Sequence, residues 1–334
     1  MIKPITARVD ALAVPTLAER DGFRALERTE AAHDAKRAAL ACFNTIETGG
    51  TTRAEAPLAF PLTIAAWNLQ RGLFPAESAN KIAEQHADIV LLTEMDNGMA
   101  RTGQRHPTAE IAEHLGMAYA YGVEFIELGL GNEEERPYCT DDFNARGFHG
   151  NAFLSAAPMR EPFILPLSGE PLWFLSSKDQ PRVGGRMAIG AVIETTAGPL
   201  VTISTHLESH GTIPLRERQI ADILDDIDAR FPGIPAIVGG DFNSGNRTGG
   251  DYRAETLFAL AESRGYQAHS GGTEQPTTRE SLISKPGDKK LKLDWFLTRG
   301  FDVAKSAIVP AITEDGKPLS DHEMITITVT GFSA

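Results

Sequence analysis

Apolar residues in this chain fall into short runs that end in small polar clusters, and the clearest such run lies at 237–246. Ile237 and Val238 close an apolar stretch, Gly239 and Gly240 follow, and Asp241 and Asn243 then stand on a polar turn. Two positions apart, Asp241 and Asn243 point the same way from an extended strand end, while Phe242 is directed into the core. The glycines leave room for another backbone or a ligand to approach closely. Alone, Gly-Asp-Phe-Asn is equally an ordinary strand-ending turn. What gives it weight is the repetition of the same pattern along the chain.

Residues 62–67 are apolar and bounded by turn signals, which predicts a buried strand. A helix is expected over 77–87, a second buried strand over 87–96, a helix over 108–115 and an alternating strand over 119–128. A polar segment, 129–149, precedes a strand at 151–156. Strands over 186–195 and 198–209 meet at Ala197-Gly198-Pro199, a hairpin signal. A helix at 213–230 leads to the strand ending at Asp241, and another helix is expected over 252–264. A loop rich in Gly, Thr and Lys fills 269–290, and strands at 293–298 and 323–330 close the chain. Helices join some strands and hairpins join others, so the pattern predicts an α+β layered sandwich rather than a parallel wound sheet. Upstream, 15–45 is rich in Ala, Glu and Arg, with Leu17, Phe23, Leu26, Leu40, Phe43 and Ile46 at helical spacing, and 45–57 reads as a loop. Residues 1–58 are therefore expected to be a helical extension packed on a body of 59–334.

Composition narrows the partners. The 334 residues carry 32 Lys and Arg against 45 Asp and Glu, a net charge of −13. That argues against broad electrostatic capture of nucleic acid or anionic membrane, though it leaves a local basic groove open. With 42% hydrophobic and 23% charged residues, the chain has the make-up of a soluble globular protein with a sizeable core. Cys42 and Cys139 are far apart, so neither a disulfide framework nor a thiolate metal site is expected. The first twenty residues lack an apolar core of signal-peptide length, and no run of 18 uncharged apolar residues occurs. A cytoplasmic location without integral membrane association is the expectation.

Seven apolar runs stop at polar clusters: Asn68 with Gln70, Glu94 with Asp96, Asn151, His206 with Glu208, Asp241 with Asn243, Asp294, and Asp321 with His322. Any one of them is unremarkable. Together they offer carboxylates, amides and imidazoles without Cys, a set that suits Mg²⁺ or Mn²⁺ rather than zinc. Histidines beside carboxylates add groups that titrate near neutrality.

The motifs WNLQRG (67–72), DIVLLTEMD (88–96), GNAFLS (150–155), STHLES (204–209), GGDFNS (239–244), KLDWFL (292–297) and LSDHEM (319–324) stand in an order that resembles the endonuclease/exonuclease/phosphatase superfamily. That group of metal-dependent hydrolases includes DNase I, exonuclease III-type enzymes, sphingomyelinases and inositol-polyphosphate phosphatases. The resemblance spans roughly 60–330 and implies a four-layer α/β/β/α sandwich of two packed mixed sheets. It implies that Asn68, Glu94 and Asp321 hold a divalent ion, with Glu94 the principal ligand. Asp241 and Asn243 would orient or deprotonate the attacking water and hold a phosphate oxygen. His322, with Asp294 behind it, would face the phosphoryl group, and His206 would hydrogen-bond the phosphate. Asn151 would line the site, and the base would be either Asp241 or His322.

Phosphate clamps are sought among Arg71, Arg101, Arg186, Arg216, Arg218 and Arg247, with Arg186 the first candidate for substrate binding. Lys285, Lys289, Lys290 and Lys292 form a local basic cluster beside Asp294. No Walker lysine follows the glycines of 128–132, and neither HExxH nor GxSxG occurs. The resulting expectation is a Mg²⁺- or Mn²⁺-dependent phosphoric-ester hydrolase, a phosphodiesterase acting on a small-molecule or lipid-like ester. A DNA endonuclease or exonuclease of the same superfamily is the alternative, with nucleic acid as partner, and a non-catalytic binding module is the alternative of another class.

Overall fold

The computed structural model describes residues 2–54, 57–176, 181–284 and 290–333. The N-terminal part carries β1 (Arg8–Val9), α1 (Leu17–Arg24), α2 (Glu30–Ala39) and β2 (Ile46–Gly50). Then come β3 (Leu62–Arg71), α3 (Pro75–Ala83), β4 (Ile89–Asn97), α4 (Pro107–Leu115), β5 (Ala118–Glu127), β6 (Phe148–Ser155) and β7 (Met159–Pro166). After α5 (Leu172–Leu175) and β8 (Arg182–Gly184) run β9 (Met187–Thr195), β10 (Gly198–His206), α6 (Ile213–Arg230) and β11 (Ala236–Asp241). The chain finishes with α7 (Leu257–Ser263), β12 (Gln267–His269), β13 (Asp294–Arg299), β14 (Phe301–Val309) and β15 (Met324–Phe332).

Two mixed sheets pack face to face, as an α+β sandwich of the DNase I type. The larger has the order β1-β2-β5-β6-β4-β3-β15-β14, with β8 on β5, and the smaller the order β12-β13-β11-β10-β9-β7. Period-2 alternation divides the side chains between layers. On β11, Ile237 joins the core between the sheets, whereas Ala236 and Val238 join Ile220, Ile223 and Leu224 of α6 on the outer face. Helix starts are chemically marked: Thr16 and Glu19 form a capping box on α1, and Pro75 and Pro107 open α3 and α4.

Several elements differ from expectation. Residues 46–50, expected as loop, form β2, which pairs antiparallel with β5. The segment IETGG has no apolar run, so its strand state comes from the partner rather than from its own pattern. The helix expected over 252–264 is a 3₁₀ turn, Tyr252–Ala254, followed by the short α7. Strands β7, β12 and β14 were not expected. No helix among the described residues is long and apolar enough to cross a membrane.

The double glycine before Asp241 now has a structural cause. A Cβ on Gly239 would lie 2.6 Å from the Phe296 ring and 2.8 Å from Leu91 of the opposite sheet. A Cβ on Gly240, where φ is +141°, would lie 2.0 Å from the Thr205 carbonyl oxygen on the neighbouring strand. Gly240→Ala is therefore expected to destabilise the fold by on the order of 3 kcal/mol through forced backbone strain. A urea-unfolding midpoint close to that of the parent would refute this account of the position.

Candidate functional site

The C-terminal ends of the parallel pairs β3/β4 and β10/β11 share one rim of the sandwich with the start of β13 and the turn that enters β15. Across the smaller sheet, His206 is the register partner of Asp241, and Asp241 is the register partner of Asp294. Residues in one register row point to the same face, so three strands deliver three functional side chains side by side. The turn bearing His322 is held from the other sheet. Trp67 Nε1 donates to the His322 carbonyl at 2.8 Å, Ser320 Oγ donates to the Asn68 carbonyl at 2.6 Å, and the His322 amide donates back to Ser320 Oγ at 3.1 Å.

Asp241 is the meeting point. Its Oδ1 accepts the Asn243 amide at 2.9 Å, and its Oδ2 accepts Asn68 Nδ2 at 3.0 Å. The same Oδ2 lies 3.4 Å from His206 Nε2 and 3.7 Å from His322 Nε2. Burial pushes this carboxyl up to about 7, with His322 opposing the rise and Asp294 adding to it. Asn243 is fixed by donating Nδ2 to the Leu207 carbonyl at 3.0 Å.

The two histidines differ in charge because they differ in what stands behind them. His322 Nδ1 lies 2.8 Å from Asp294 Oδ2. Burial works against its charge, but the carboxylates of Asp294 and Asp241 outweigh burial and hold the imidazole well above its ordinary value. His206 is buried and has Arg186 Nη1 2.9 Å from its Nδ1. Burial and then the Arg186 charge drive it well below the ordinary value, so it is neutral.

The opposite wall is built by β3 and β4, whose pairing slips between Asn68 and Arg71 and, toward β6, between Leu92 and Met95. Gln70, Arg71 and Glu94 lie at those irregularities with φ of 44°, 80° and 56°, and Asn243, in the turn after β11, has φ of 51°. Left-handed backbone at non-glycine residues costs about 1 kcal/mol or more each. Its concentration at these four positions shows a rim whose side chains are re-aimed by local bulges. Burial opposes the Glu94 charge, yet the paired Arg71 guanidinium holds the carboxyl well below its usual range. Asp321 is pushed up to about 6, first by burial, with the Glu94 charge adding to the rise against His322.

Which oxygens suit a cation follows from this. Asn68, Glu94 and Asp321 offer oxygen ligands of the kind a hard cation takes, and the Asp321 carboxyl is raised first by burial, with the Glu94 charge adding to the rise. A second group, Asp241, Asp294 and His322, has ligand atoms all within 4.8 Å of one another. There the His322 ring already faces carboxylates from both nitrogens and is charged, so a proton fills the place a metal would take.

The remaining expected residues are held by other protein groups. Asn151 is buried on β6, where its Nδ2 donates to the Met187 carbonyl at 3.2 Å and its Oδ1 has no hydrogen-bond partner among the described residues. Arg186 is buried, and its donors reach Glu208, Glu124, His206 and Ser209 rather than open solvent. Arg101 is enclosed by Asp96, Glu127 and Glu135, and Arg216 by Glu255, so neither clamps phosphate. Lys292 Nζ donates to the carbonyls of Ser270, Gly272 and Gln275, which fixes a loop instead of meeting a phosphate. Lys285 and Lys289 lie outside the described residues. Glu124 and Glu135 were not singled out from the sequence. A glutamate inside the apolar strand of 119–128 was the available signal for Glu124.

Comparison with known proteins places these features in a family. The family model described as Endonuclease/Exonuclease/phosphatase family matches residues 65–322. No curated protein matches the chain. Among solved structures, an endonuclease/exonuclease/phosphatase from Beutenbergia cavernae DSM 12333 is 18% identical with a TM-score of 0.60, covering 82% of this chain and 72% of its own. The human Nocturnin catalytic domain, with a bound sulfate anion, is 16% identical with a TM-score of 0.55, covering 86% and 98%. TDP2 from Caenorhabditis elegans is 17% identical with a TM-score of 0.51, covering 81% and 76%. At these identities the likeness shows the fold.

Replacing Asp294 by Asn removes the largest influence that raises His322. In Asp294→Asn the His322 ring is expected to titrate at lower pH than in the parent, read by NMR. A raised imidazole stabilises the fold fully below its unfolded value near 6.5 and loses that contribution as pH rises through the folded value. The stability difference between parent and variant should therefore be larger at acid than at alkaline pH. An unshifted His322 titration would show that Asp294 does not set its charge.

Proposed function

The chain belongs to the Endonuclease/Exonuclease/phosphatase family, and on that premise we propose that it is a divalent-metal-dependent hydrolase of phosphoric esters, with a phosphodiester as substrate. Members of the family are generally hydrolases of phosphoester bonds. The observation that carries the proposal is the convergence of Asn68, His206 and His322 on one oxygen of Asp241, all within 3.7 Å.

Asn68, Glu94 and Asp321 would hold Mg²⁺ or Mn²⁺. Such an ion, when bound, supplies positive charge against phosphate oxygens and makes water a better nucleophile. The remaining roles fall to the chain. Asp241, raised to about 7, is present in both protonation states near neutrality and is the base that takes a proton from the attacking water. This favours Asp241 over His322 as base, because His322 is already protonated. The His322 imidazolium, oriented by Asp294, faces the phosphoryl group, where charge spreads over the equatorial oxygens. Neutral His206 donates a hydrogen bond to a phosphoryl oxygen, and Asn243 holds a second, both in place before reaction. With a net charge of −13, the protein favours a small or lipid-like ester over long duplex DNA.

The deciding experiment is a panel of bis-p-nitrophenyl phosphate, p-nitrophenyl phosphate, single- and double-stranded DNA and phosphocholine lipids, assayed with Mg²⁺, Mn²⁺ and EDTA. Hydrolysis of a diester that EDTA abolishes is the expected result. Salt-sensitive cleavage of DNA as the strongest activity would make it a nuclease, and binding without turnover of any ester would sink the proposal. Glu94→Ala should lose Mn²⁺ binding by calorimetry together with activity. His206→Ala and His322→Ala should each lower turnover by about a hundredfold or more, the effect of a lost interaction of about 3 kcal/mol.

A further inference from the structure

His206 closes β10 with its two ring nitrogens in contrasting surroundings. Nε2 faces Asp241 Oδ2 at 3.4 Å, toward the reacting centre. Nδ1 faces Arg186 Nη1 at 2.9 Å. A guanidinium has only donors, so Nδ1 accepts and carries no proton, and the proton of the neutral ring sits on Nε2. His322 is the reverse case, since its Nδ1 faces the carboxylate of Asp294 and donates.

Arg186 has no freedom to leave. Nε donates to Glu208 Oε2 at 3.2 Å, Nη1 also donates to Glu124 Oε1 at 3.0 Å, Nη2 donates to Ser209 Oγ at 3.3 Å, and Cζ lies 5.5 Å from the Phe125 ring centre. The fully buried Glu124 supplies the contrast that gives this arrangement meaning. Its Oε2 has no hydrogen-bond partner and lies 3.8 Å from His206 Nδ1. Without the guanidinium between them, that oxygen would accept a hydrogen bond from a protonated Nδ1 and give His206 the kind of partner His322 has.

We propose that Arg186 is a positioning residue that stands between Glu124 and His206 and locks His206 as the neutral Nε2–H tautomer. His206 is then a fixed hydrogen-bond donor whose Nε2–H faces the cleft at Asp241. The tautomer is independent of any substrate. The consequence for catalysis rests on the phosphoesterase reading above.

The test is ¹⁵N NMR of the imidazole nitrogens in the substrate-free protein, with His206 assigned by its loss in His206→Gln. In the parent at neutral pH, His206 Nδ1 should resonate as an unprotonated nitrogen and Nε2 as a protonated one. A protonated Nδ1 in the parent overturns the proposal outright. In Arg186→Met, Nδ1 should become protonated through Glu124, and kcat should fall by about tenfold or more with KM nearly unchanged. In the double variant Arg186→Met with Glu124→Gln, the glutamine amide can donate to Nδ1, so the parent tautomer and part of kcat should return. Arg186→Lys, which keeps a donor and the charge, serves where Arg186→Met fails to fold and should retain the parent spectrum. A rise in KM at constant kcat, or an unchanged tautomer in Arg186→Met, refutes the assignment. Because the spectrum needs no ester, absence of hydrolysis would sink the functional reading and leave this one standing, and the reverse also holds.

Discussion

A carboxylate buried between two sheets can exist only if donors reach it from several directions. Asp241 is 2% exposed, and its two oxygens meet an amide from its own turn, a side-chain amide from β3 and imidazoles from β10 and the turn before β15. An unpartnered charge there would cost several kcal/mol. The sheets must therefore hold one separation and one register, since a slip of a single residue would turn the row of His206, Asp241 and Asp294 onto the other face. Gly239 and Gly240 meet this demand at the backbone, the first by permitting the sheets to approach and the second by permitting the turn toward the site. Core packing and site geometry are in this sense one constraint.

That constraint also explains how two like residues come to do different work. His206 and His322 both present Nε2 to the same oxygen. What separates them is the group behind each ring, a carboxylate for His322 and a guanidinium for His206. The environment on the far nitrogen fixes tautomer and charge on the near one. In the proposed hydrolysis, which would both hold an anion and move a proton, this asymmetry would keep one ring charged and the other a neutral donor.

How much of this the sequence carried depends on the range over which each signal acts. Asp241, Asn243 and His206 stood out because apolar runs ending in polar side chains mark strand ends, whereas Asp294 opens β13 and His322 precedes β15, and the order of the motifs singled them out. Helix α6 has the expected bounds, 213–230, and Thr212 caps it. The strand β2 was not legible, since IETGG is a strand by virtue of pairing with β5 and β1. The fate of the arginines was equally hidden. Arg101 and Arg216 read as candidate phosphate clamps next to motifs, and only the fold brings Asp96, Glu127, Glu135 and Glu255 around them. Pairings between residues far apart in the chain leave no local periodicity, and they decide which charges face a substrate and which face the protein.

The N-terminal helices show how far such pairings extend. His33 on α2 is buried, and its Nε2 lies within 3.0 Å of both the amide and the carbonyl of Gly184. Gly184, at φ +136°, sits so close to β5 that a Cβ there would fall 2.0 Å from the Glu124 carbonyl oxygen, and the next amide, Gly185, donates to that same oxygen at 2.9 Å. Arg186 follows immediately. The backbone that delivers this guanidinium is thus gripped from one side by the strand bearing Glu124 and from the other by a helix of the extension. An extension that bound only to the outer surface would leave the site untouched. This one holds the turn two residues from the group that faces His206, so the geometry of the candidate site depends on residues outside the matched span 65–322.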